Sequence, residues 1–88
     1  MEKIDWNKKV NGWINDLAEI EEFLDEARET YEIGEDLKIV LLERFKGIID
    51  EFNSDFMEMW KQKEYEKIDK MYKLLNIVFD DLMKYAKI

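Results

Sequence analysis

Two carboxylate pairs, Glu19 with Glu22 and Glu66 with Asp69, stand three residues apart in an 88-residue chain. On a helix this spacing puts both side chains on one face, where together they can flank a divalent cation. The di-metal helix bundles that use such carboxylates add a Glu-x-x-His element, and this chain has no histidine. It has no cysteine either. The commonest general base near pH 7, the commonest metal ligand and the thiolate nucleophile are therefore all missing. Ser54 and Thr30 have no base partner in the sequence, and no glycine-rich phosphate loop occurs. Carboxylates three apart arise by chance on any acid-rich helix. The expectation is no enzyme, no metal site and no cofactor.

The acids carry more information as a block. Residues 16–36 hold ten acids and one base, Arg28, a balance of −9; residues 37–88 balance at zero and residues 1–15 at +1. All of the net charge of −8 thus sits in one quarter of the chain. On a helical wheel of about 100° per residue, Glu19, Glu21, Glu22, Asp25, Glu26, Glu29 and Glu32 share one arc on the side away from the apolar seam. Like charges at Glu21/Asp25, Glu22/Glu26 and Asp25/Glu29 are i,i+4 neighbours, each costing roughly 0.2–0.5 kcal/mol. One carboxylate falls per ~3 Å of helix axis, close to the phosphate spacing of a single DNA strand. Glu19, Glu22, Asp25, Glu26, Glu29 and Glu32 are accordingly the predicted partner-binding residues. The partner is expected to be a basic protein surface, such as that of a nucleic-acid-binding protein. Two blander readings compete: a solvated face that keeps a small protein in solution, and neutralisation by Lys63, Lys67 and Lys70 on another helix. An acidic chain without a basic groove is not expected to bind nucleic acid directly.

The elements that must position this block are helical. The chain has no proline and three glycines, which leaves helix the default throughout. Trp6, Val10, Trp13, Leu17, Ile20, Leu24, Ala27 and Tyr31 form an unbroken seam of alternating three- and four-residue steps. Asp5 is the predicted N-cap of that helix and Gly34 its stop; Asn11-Gly12 is a soft spot within it. In the second segment adjacent positions are both apolar, as in Leu41-Leu42 and Ile48-Ile49, so its stripe is wide enough to face two neighbours. A third run, Tyr65, Ile68, Tyr72, Leu75, Phe79, Leu82 and Ala86, again steps by three and four.

These patterns predict an all-α fold, an antiparallel three-helix bundle with helices at about 5–32, 36–61 and 64–87 in a single domain, 1–88. The competing signal is Asn53-Ser54-Asp55, where Asp55 and Glu58 are spaced as a capping box and would split the region into four helices. Trp13, Leu17, Leu24, Phe45, Ile49, Phe52, Leu75, Phe79 and Leu82 are the expected core. Trp6 also lies on the seam, while Trp60 should be partly exposed. Phe23, Ile39, Val40, Met57 and Ile77 fall off the buried faces.

No apolar run approaches the length of a membrane span and no signal-peptide pattern opens the chain, so a cytoplasmic protein without membrane contact is expected. No motif places it in a family. At the level of architecture it resembles small acidic helical proteins of phages and mobile elements that inhibit nucleases or nucleic-acid-binding regulators. That resemblance implies an inhibitor or regulator that docks its acidic face on a basic surface. The alternative is a self-associating assembly module, a homodimer included, whose acidic face serves solubility alone.

Overall fold

The computed structural model describes residues 4–30 and 35–86; of residues 27–30, 35, 36, 85 and 86 the backbone alone is described. Three helices account for nearly all of them: α1 (Trp6–Thr30), α2 (Glu35–Lys61) and α3 (Tyr65–Ala86). Each helix packs on the other two. Their directions follow from which positions meet. Trp6 reaches Gln62 and Trp13 reaches Glu51, so α1 and α2 are antiparallel. Phe45 meets Phe79 and Trp60 meets Tyr65, so α3 reverses the direction again. The result is the predicted antiparallel three-helix bundle, a rod of 48 × 21 × 17 Å.

Local chemistry sets the helix ends. Asp5 Oδ1 accepts the Lys8 backbone N–H at 3.1 Å, and the Asp5 carbonyl accepts that of Lys9. Asp5 is therefore the N-cap that the sequence pattern suggests. The predicted stop at Gly34 and the seam residue Tyr31 lie outside the described residues. Between α2 and α3 the Glu64 N–H bonds the Met59 carbonyl at 2.9 Å and the Lys63 N–H bonds that of Trp60 at 3.1 Å. This is a Schellman closure, and its left-handed position belongs to Lys63, at φ 59°. The Glu64 carbonyl then accepts the Ile68 N–H at 3.1 Å and starts α3. One residue thus ends one helix and begins the next. The four-helix alternative does not occur: α2 runs unbroken through Asn53-Ser54-Asp55, and the Asp55 carboxylate pairs with Lys9 of α1 instead of capping.

The α1 seam is buried as expected, from Trp6 through Val10, Trp13, Leu17 and Ile20 to Leu24. From α2 it meets Leu41, Phe45, Ile48, Phe52 and Met59, and from α3 Ile68, Met71, Leu75, Val78 and Leu82. Every buried side chain among the described residues is apolar. Two expected core residues are corrected. Ile49 is only half-buried, and Phe79 remains 46% exposed. The third helix has turned by about one residue, so Met71 and Val78 take the inner places expected of Tyr72 and Phe79. Both seams share Ile68, Leu75 and Leu82. The slimmer aliphatic pair suits the crowded centre between three backbones, while the rings lie on the flank toward α2, where the Tyr72 hydroxyl stays in water.

Candidate interaction surfaces

The α1 residues assigned to partner binding lie where the wheel puts them, with two beyond description. Glu19, Glu22, Asp25 and Glu26 are all exposed on the solvent side of α1. Glu29 lies within α1 but its side chain is not described, and Glu32 is outside the described residues. Glu19 is bridged to Arg44 of α2, with Nη1 to Oε2 at 3.1 Å. Both side chains are more than half exposed, so the bridge is weak and water-screened. Of the lysines considered as internal neutralisers, Lys67 pairs with Glu64 at 2.6 Å on its own helix turn.

Each carboxylate pair has one member in an exposed ion pair. Glu19 is engaged by Arg44, and Asp69 by Lys73 at 2.9 Å. No group of three or more potential ligands lies together among the described residues. A shallow groove of about 410 Å³ opens between α1 and α2 beside Gly12. The Trp13 N–H and Glu51 carboxylate that line it are bonded to each other, and Asp5, Lys8, Lys9 and Asp16 complete its rim.

That bond is one of a series. Along the α1/α2 edge, Trp6 Nε1 donates to Gln62 Oε1 at 2.8 Å, Lys9 pairs with Asp55, Trp13 Nε1 donates to Glu51 Oε2 at 2.7 Å, and Arg44 reaches Glu19. Polar contacts therefore fasten the seam between α1 and α2 from Trp6 to Glu19 on α1. Lys9 also lies 5.7 Å from the centre of the Trp6 ring, a cation–π contact that holds both in place.

The α2/α3 edge is built differently. It is a ladder of rings: Phe45 on Phe79 (6.3 Å between centroids), Phe52 on Tyr72 (5.4 Å), Phe56 on Tyr72 (6.2 Å), and Trp60 on Tyr65 (4.9 Å). Leu42, Trp60, Tyr65, Tyr72 and Phe79 are exposed along it, and Ile49, Phe56 and Met83 are half-buried. Tyr65, Tyr72 and Phe79 repeat every seven residues on α3, as Leu42, Ile49 and Phe56 do on α2, so the two rows run side by side in the outer groove. Ile39 and Met57, which the sequence pattern leaves off the buried faces, are exposed on the outer side of α2. Sequence reasoning placed Phe79 in the core and Tyr72 on the same apolar seam, and so missed their part in this face. The available signal was the second seam, Ile68, Met71, Leu75, Val78 and Leu82, which buries no hydroxyl.

No helix among the described residues is long and apolar enough to cross a membrane. Comparisons with protein-family models, with curated proteins and with solved structures found no match.

Proposed function

We propose that this protein is a non-catalytic interaction module that docks the acidic side of α1 on a basic, nucleic-acid-binding surface of another protein and so inhibits or regulates it. The observation that carries this reading is the placement of Glu19, Glu22, Asp25 and Glu26 together on the outer side of α1, backed by an α2/α3 hairpin region, residues 37–88, of zero net charge. A segregated field of one sign speeds the encounter with an oppositely charged surface. It also costs the helix some repulsion that a few lysines would remove.

The test uses a panel of purified basic nucleic-acid-binding proteins, with double-stranded DNA as competitor. A defined complex with a panel member, displaced by DNA, is expected. Converting Glu22, Asp25 and Glu26 to Lys should weaken it about 10²- to 10³-fold, chiefly by slowing association, while the variant folds as well as the parent. Raising salt from about 50 to 200 mM shortens the Debye length from roughly 14 to 7 Å and should weaken the parent complex markedly. Binding indifferent to both changes, or no binding across the panel, overturns the reading.

A further inference from the structure

The aromatic face of α2 and α3 is too large and too ordered to be incidental. It runs from Leu42 to Trp60 on α2, ~27 Å at 1.5 Å per residue, and spans two helices, ~20 Å. Covering it removes on the order of 600–800 Å² from water, near the ~800 Å² per partner of a standard stable interface. Isolated exposed apolar residues are ordinary, but an apolar face this long, interrupted by exposed Lys46, Asn53, Asp69 and Asn76, has the mixed make-up of a contact surface.

We infer that a second copy of this chain covers it, forming a homodimer through α2 and α3. Charge decides the occupant. The ring contacts set the levels along the rod: Phe45 with Phe79, Phe52 with Tyr72, Trp60 with Tyr65. By that register the exposed charges Glu43, Lys46, Asp50 and Lys61 on the outer side of α2 are level, within about one helical turn, with Lys84, Asp80, Lys73 and Glu66 on the outer side of α3. Each level holds opposite signs. A two-fold axis parallel to the helices lays the α2 of one copy over the α3 of the other at the same level. Every match then forms twice, around an apolar centre. Lys73 and Lys84 already contact Asp69 and Asp81 on their own helix, at 2.9 and 3.9 Å, but both lysines are largely exposed and free to share.

The same arithmetic disfavours other occupants. An anionic membrane surface calls for a lysine-rich rim, and this rim is balanced. The repulsive block on α1 lies on the opposite side of each copy, so two chains of net charge −8 meet through their neutral halves. The dimer holds the two α1 helices on opposite outer sides, their axes roughly 25 Å apart at helix spacings of 8–10 Å. This inference does not depend on what the ridge binds.

Sedimentation equilibrium on the full chain, from about 1 to 500 µM, is the first measurement. A reversible dimer is expected. Trp60 is a built-in probe, being 51% exposed where Trp6 and Trp13 are 4% and 2% exposed. The fluorescence fraction quenched by acrylamide should therefore fall as dimer forms. Trp60→Lys and Leu42→Lys, at opposite ends of the face, should each weaken the dimer at least tenfold while circular dichroism shows an unchanged helical monomer. Lys46→Asp and Asp80→Lys should each weaken it about 2- to 20-fold, the effect of two exposed ion pairs. The double variant should restore it. A chain that stays monomeric to about 500 µM overturns the proposal and leaves the face to a foreign amphipathic helix. A dimer untouched by Trp60→Lys, or not restored by the double exchange, overturns it too.

Discussion

The two flanks of α2 are made from similar sequence and finished differently. Toward α1, tryptophan N–H groups, a lysine and an arginine cross the seam at Gln62, Asp55, Glu51 and Glu19. Toward α3 the crossing contacts are rings, and all three α3 rings, Tyr65, Tyr72 and Phe79, are half-exposed. A helix needs only about one apolar residue per turn to fill the middle of a three-helix bundle. On α1 that is what the seam provides, and polar groups close its edge. On α2 and α3 the apolar stripe is wider than two neighbours require. Stripe width measured against the number of available neighbours, more than total hydrophobicity, separates a finished edge from one still open to a partner.

Truncation should break the comparison most visibly. Phe52 is 1% exposed and packs on Trp13, Phe56 and Tyr72. Phe52→Ala should cost about 3–5 kcal/mol in urea denaturation, most of the stability of so small a domain. Phe79→Ala, on the open flank, should cost about 1–2 kcal/mol of monomer stability, because half of that ring is already in water. Equal losses at the two sites would place Phe79 in the core after all.

Removing single polar handles sharpens the contrast. Trp13→Phe deletes the N–H that Glu51 accepts, part-buried on the closed flank, and should cost about 1–2 kcal/mol. Tyr72→Phe on the open flank should change thermal stability by less than about 0.5 kcal/mol. A large Tyr72→Phe effect would reveal a hydroxyl partner on a flank read here as rings alone.

Backbone substitutions should act alike on both sides and serve as the control. A methyl added at Gly12 of α1 or Gly47 of α2 meets nothing within 4 Å, so each Gly→Ala change should raise stability by about 0.5–1 kcal/mol. A similarly small effect belongs to the turn that joins the two aromatic rows. Lys63→Gly relieves a side chain held at φ 59° and should add about 0.5 kcal/mol, offset in part by the freer unfolded chain.

Much of this architecture is legible in the residues themselves. The absence of proline and the 4,3 stepping of Trp6 through Leu24 specify α1, its cap and its buried side without tertiary information. The acidic arc is legible too, since it needs only composition and helical pitch. The α2/α3 turn is harder to read because Lys63 occupies a position that glycine usually marks. Asn53-Ser54-Asp55 mimics a boundary because a carboxylate suited to capping serves here as the partner of Lys9. Phe79 and Tyr72 were misplaced because two seams one residue apart have the same period. Only packing between backbones chooses between them, and that choice is long-range.

Asn11 and Gly12 sit side by side, exposed, on the part of α1 fastened by Trp6 and Trp13. In an open chain the nitrogen of such a glycine attacks the asparagine side-chain carbonyl. Ammonia leaves, and the succinimide formed is opened by water to aspartate or isoaspartate. Helical geometry holds that nitrogen away from the carbonyl, so the ring closes only while this stretch of α1 is locally unwound. The dipeptide is therefore a slow chemical clock of that unwinding. Isoaspartate at position 11, followed by peptide mapping during storage, should accumulate faster when Trp13→Phe loosens the fastening and much more slowly in Gly12→Ala. Opening to isoaspartate lengthens the main chain by a methylene, and either product leaves one more negative charge on the helix, so the modified fraction of an aged sample is a lasting record of how often α1 came undone.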